Sequence, residues 1–81
     1  MKLPRDLSGE ALATKLGRLG YKQTRQTGSH MRLTRETPES QHHVTIPRHK
    51  NLHVGTLNSI LVEIADHLQI DRAELLKQIE G

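Results

Sequence analysis

At 81 residues, one third hydrophobic and with Tyr21 as its only aromatic, the chain reads as one small domain, 1–81, on a thin Leu/Ile/Val core. The absence of cysteine excludes a disulfide scaffold, a thiol nucleophile and cysteine-ligated zinc. No apolar run approaches the ~20 residues of a membrane span and Met1-Lys2-Leu3-Pro4-Arg5 holds no signal-peptide core, so the expected place is the cytosol, without a membrane partner.

In chain order, Ser8 is the first N-cap signal, and Leu12, Leu16 and Leu19 follow at helical spacing until Gly20 supplies a left-handed stop. Lys15 and Arg18 on the other side of that helix read as surface charges. Tyr21 to Thr27 is polar and lacks a helical stripe, which predicts a strand; Gly28-Ser29 is its turn. His30 to Glu36 alternates, with Met31 and Leu33 on one side and His30, Arg32 and Thr34 on the other. Residues 37–41 form a loop, and His42 to Pro47 alternates again, Val44 and Ile46 in, His43 and Thr45 out. Paired as one antiparallel sheet, these strands place His30, Arg32, His43 and Thr45 on a single outer face, a placement that a slip of one residue would reverse. A basic connection runs from Pro47 to Gly55. Thr56 is the expected cap of a second helix with Leu57, Ile60, Leu61, Ile64, Ala65 and Leu68 on its stripe, and Asp71 with Glu74 opens a short third helix. The fold class is α+β, with helices on one face of a three-stranded sheet.

Charge is unevenly spread. Residues 1–21 carry a balance of +2, residues 22–53 of +4 and residues 54–81 of −3, and five of the six histidines lie in the middle segment. A basic, histidine-rich centre points to a polyanionic ligand, nucleic acid first.

Three pieces in this order resemble the HicA toxins: Gly28-Ser29-His30 opening a strand, Val44-Thr45-Ile46-Pro47-Arg48-His49 closing one, and Gly55-Thr56-Leu57-Asn58-Ser59-Ile60-Leu61 opening a helix. The resemblance runs from about Leu7 to Ile79. It implies a double-stranded-RNA-binding-like α-β-β-β-α fold and cleavage of mRNA without metal or other cofactor. It also implies a HicB-like antitoxin as partner, within a type II toxin–antitoxin system, and a catalytic histidine that maps to His30. Met31 stands where many members carry a second histidine or an aromatic.

Cutting RNA without a metal requires a base for the 2′-hydroxyl proton, an acid for the departing 5′-oxygen, and cations on the phosphate. Imidazole suits the first two, because its ordinary pKa, ~6.5, lies near working pH. His30 is the candidate for that work, with Ser29 beside it to orient ring or phosphate. His43 is a second proton-transfer candidate if the register holds, and His49 if its loop folds back. Arg25, Arg32, Arg48 and Lys50 are candidates for phosphate binding. His42, His43, His49 and His53 span a strand and a loop without cysteine, a poor zinc set, so no metal is expected. No G-x-S-x-G elbow is present for a serine hydrolase. The rival function is a double-stranded-RNA-binding module without catalysis, which needs no histidine at the turn.

Overall fold

The computed structural model describes residues 7–80. Helix α1 (Gly9–Leu16) continues as a 3₁₀ turn (Gly17–Leu19) and leads into β1 (Lys22–Thr27), β2 (His30–Glu36) and β3 (Gln41–Pro47). Helices α2 (Val54–Leu68) and α3 (Arg72–Glu80) follow. The strands form one antiparallel sheet in the order β1-β2-β3, so the chain has the α+β, α-β-β-β-α arrangement expected, with α3 as the additional helix.

Local chemistry sets the element ends. The Ser8 hydroxyl accepts the Ala11 N–H at 3.0 Å, and Gly20 takes φ 94° to end the 3₁₀ turn. Arg35 Nε donates to the Leu19 carbonyl there at 2.8 Å, and Arg18 donates to the carbonyl of Ile79, so Arg18 ties α1 to the end of α3. Asp71 Oδ1 accepts the Glu74 N–H at 2.8 Å, the expected cap of α3. Thr56 does not cap α2. The Leu57 N–H already bonds the His53 carbonyl at 2.9 Å, which starts the helix at Val54 and leaves Thr56 inside the first turn.

The inner sheet face (Met31, Leu33, Val44 and Ile46) packs with Leu12 and Leu16 of α1, Leu61 and Ile64 of α2, and Leu75 and Ile79 of α3. Each such side chain contributes about 1.5–3 kcal/mol on leaving water. Helix α1 meets β3 at close quarters. The Gly9 N–H donates to the His49 carbonyl at 2.9 Å, and a Cβ at Gly9 would overlap the Pro47 carbonyl. The other sheet face is left open: Lys22, Arg25, Thr27, His30, His43 and Thr45 are all exposed on it. Among the described residues no helix is long and apolar enough to cross a membrane.

Candidate nucleic-acid interface

The open face is built from three cross-strand rows. Thr27 faces His30, which faces Pro47; Arg25 faces Arg32, which faces Thr45; Lys22 faces Thr34, which faces His43. The first row sits at the β1–β2 hairpin, whose connection is Gly28-Ser29. Gly28 has φ 57° and Ser29 does not share the positive sign, the pattern of a type II′ turn, which a glycine in the first position admits without strain. A two-residue turn fixes the register and thereby sets His30 directly against Thr27.

A β-bulge makes the second row. The pairing passes from Gln23↔Leu33 to Arg25↔Arg32, so Thr24 is an extra residue. Strict alternation from Lys22 would send Arg25 inward with Gln23. The inserted residue returns it to the open face. Two arginines are thereby made direct cross-strand partners, and neither has an ion-pair partner among the described residues. Like charges facing across a strand pair destabilise a sheet by roughly 0.2–1 kcal/mol, so the fold retains an unfavourable pair here. Around it, Arg25, Thr27, His30, Arg32 and Thr45 line an open depression of about 400 Å³. A second of about 270 Å³ adjoins it through Arg25 and Arg32 and reaches Thr34 and His43.

The third row is held by hydrogen bonds. Thr34, only 5% exposed, has its hydroxyl 2.8 Å from Thr24 Oγ1 and 2.8 Å from His43 Nδ1. The Thr24 hydroxyl also donates to the Arg32 carbonyl at 3.4 Å. His30, in contrast, forms no side-chain hydrogen bond to a described residue.

The predicted residues fall into two groups. His30, His43, Arg25 and Arg32 share the open face. Arg48 does not: its guanidinium meets Glu10 at 3.3 Å, on the α1 side of the sheet. The Arg48 backbone N–H donates to the Ser29 carbonyl at 2.6 Å, which extends the β2–β3 pairing past His30 and buttresses the turn. The segment holding Arg48, His49 and Lys50 is tied to the start of α1 by Gly9 N–H to His49 and Leu52 N–H to Leu7. Met31 is 3% exposed and belongs to the core, so the position after His30 faces away from the site. Thr34 takes the face that alternation predicts, whereas Lys22 and Thr24 join it without having been singled out from the sequence, since nothing local marks the bulge at Thr24.

His42 and His43 occupy opposite faces of β3, which separates the histidine cluster. His42 Nδ1 lies 2.7 Å from the Tyr21 hydroxyl, its ring stacks on His67 at 4.1 Å, and its Nε2 is 3.4 Å from Glu63. Burial, then the neighbouring His67, hold the His42 pKa below the ordinary histidine value, although Glu63 pulls the other way. Burial pushes the Tyr21 phenol up to about 12, so the hydroxyl bonded to His42 Nδ1 stays protonated.

A family model described as HicA toxin of bacterial toxin–antitoxin matches residues 9–66, from the first residue of α1 well into α2. The chain belongs to the HicA toxin family. It is therefore a toxin of a toxin–antitoxin system, and the matched segment contains the whole open face. No curated protein and no solved structure matches the chain.

Proposed function

We propose that this HicA-family chain is the toxin of a type II pair and cuts mRNA without a metal ion, with His30 as the general base or acid. The observation that carries this reading is the Arg25–Arg32 pair, two cations set face to face one row from His30 on an uncovered sheet. An anion bridging the two arginines converts a repulsive pair into two charge-assisted contacts. A phosphodiester held there lies beside the His30 imidazole. The ring takes the 2′-hydroxyl proton, the 2′-oxygen attacks phosphorus, and the P–O5′ bond breaks, leaving a 2′,3′-cyclic phosphate and a 5′-hydroxyl once the 5′-oxygen is protonated. The same arginines lie where negative charge grows in the transition state. A HicB-like antitoxin of acidic character would cover this face and exclude RNA. Arg48 and Lys50, tied to the α1 side, fit contacts with flanking phosphates better than with the reacting one.

The test is induced expression of the native chain and of His30→Ala, following growth and total mRNA. Growth arrest and mRNA loss with the native chain only, and RNA affinity retained in His30→Ala, are expected. Equal arrest by both chains removes His30 from the reaction. Absence of arrest with both chains folded favours the non-catalytic RNA-binding module.

A further inference from the structure

His43 stands on the same open face as His30, but it cannot serve the same phosphate. Its partner Thr34 is four residues along β2 from His30, roughly 13 Å at the rise of an extended strand. Direct proton transfer needs hydrogen-bond contact.

The hydrogen bonds around His43 nevertheless define its state. The Arg32 carbonyl can only accept, so the Thr24 hydroxyl donates to it. Thr34 then donates to Thr24, and the remaining link requires His43 Nδ1–H to donate to Thr34. With Nδ1–H engaged in this way, the neutral form of the ring carries its lone pair on Nε2. Thr34 is buried, so the anchor is shielded from competing water. His43 itself is exposed, and its Nε2 has no hydrogen-bond partner among the described residues.

That lone pair, in a depression shared with Arg25, Arg32, Glu36 and Gln41, is the wrong group for a phosphate oxygen, which it repels. It needs a donor. Along a nucleic acid, donors on base edges change with sequence, whereas the ribose 2′-hydroxyl recurs at every nucleotide and is missing from DNA. We propose that His43 reads the sugar: its Nε2 accepts a hydrogen bond from a ribose 2′-hydroxyl, on a nucleotide beyond the one at His30, and so selects RNA over DNA. This deepens the ribonuclease reading, on which it rests for a strand lying along the face.

Fluorescein-labelled single-stranded RNA and DNA of one sequence, titrated against the full chain carrying His30→Ala so that nothing is cut, provide the test by anisotropy at fixed salt. RNA is expected to bind about five-fold tighter than DNA, the worth of one hydrogen bond. Adding His43→Ala is expected to weaken RNA alone and abolish the difference. Thr34→Val, which removes the anchor, shifts the ratio in the same direction, whereas Arg32→Ala weakens both ligands alike. An RNA-to-DNA ratio unchanged by His43→Ala overturns the proposal, and so does a chain without preference for RNA. Because the readout is binding, a native chain that fails to cut RNA refutes the ribonuclease reading and leaves the ratio readable.

Discussion

Gly9→Ala and Gly17→Ala make the same chemical change at the two ends of α1, and the structure assigns them opposite signs. At Gly9 a Cβ would overlap the Pro47 carbonyl oxygen and stand 3.0 Å from its carbon and 3.3 Å from Arg48 Cα. These are backbone atoms of a paired strand end, so no rotamer change relieves the overlap. Helix α1 must move away, stretching the Gly9–His49 hydrogen bond of 2.9 Å. Overpacking costs about 1–3 kcal/mol and the weakened bond about 1 kcal/mol more, offset by up to about 1 kcal/mol of helix propensity. The net loss of about 2 kcal/mol corresponds to a fall of roughly 8–16 °C in Tm for a domain of this size. At Gly17 nothing lies within 4 Å of the added methyl and the backbone is ordinary αR (φ −57°, ψ −27°). The gain there is about 0.5 kcal/mol, or 2–4 °C, from the reduced entropy of the unfolded chain. Circular dichroism melts of the three chains decide the matter. A Gly9→Ala chain melting within 3 °C of the native one would refute the close approach of α1 to β3. Because Pro47 is the cross-strand partner of His30, RNA cutting is expected to fall together with stability in Gly9→Ala and to be retained in Gly17→Ala.

Two further outcomes follow from the charges. Arg25→Thr removes one half of the like-charge pair, so Tm rises by a few degrees, in line with roughly 0.2–1 kcal/mol of relieved repulsion. RNA affinity falls across sequences, and the slope of log affinity against log salt shrinks by about 1; an unchanged slope would mean that Arg25 touches no phosphate. His42 makes stability depend on pH. Its pKa is lowered in the folded chain by burial and by His67, and returns to the ordinary ~6.5 on unfolding. The unfolded chain therefore binds more protons around and below that value, so this stabilisation is complete above it and is lost as pH falls through it towards the folded value. Melts from pH 7.5 to 5 are expected to show a declining Tm, with a shallower decline in His42→Gln; equal slopes would exclude His42 as the source.

The residues themselves determined most of the fold. The stripe of Leu12, Leu16 and Leu19, the alternation through β2 and β3, the Gly28-Ser29 turn and the Asp71 cap are local signals, because helix and strand periods and turn chemistry are properties of neighbours in the chain. They also sufficed to gather His30, Arg32, His43 and Thr45 on one face. Local signals misplaced the start of α2, since Thr56 is a good cap residue but the His53 carbonyl had already engaged the helix. Tertiary structure alone decided three things: the bulge at Thr24 that turns Arg25 towards Arg32, the docking of Arg48 on Glu10, and the meeting of His42 with Tyr21, Glu63 and His67 on the helix-covered side. Each depends on a partner distant in sequence, and the charge or type of a residue does not reveal which surface it will meet once the sheet has closed over its core.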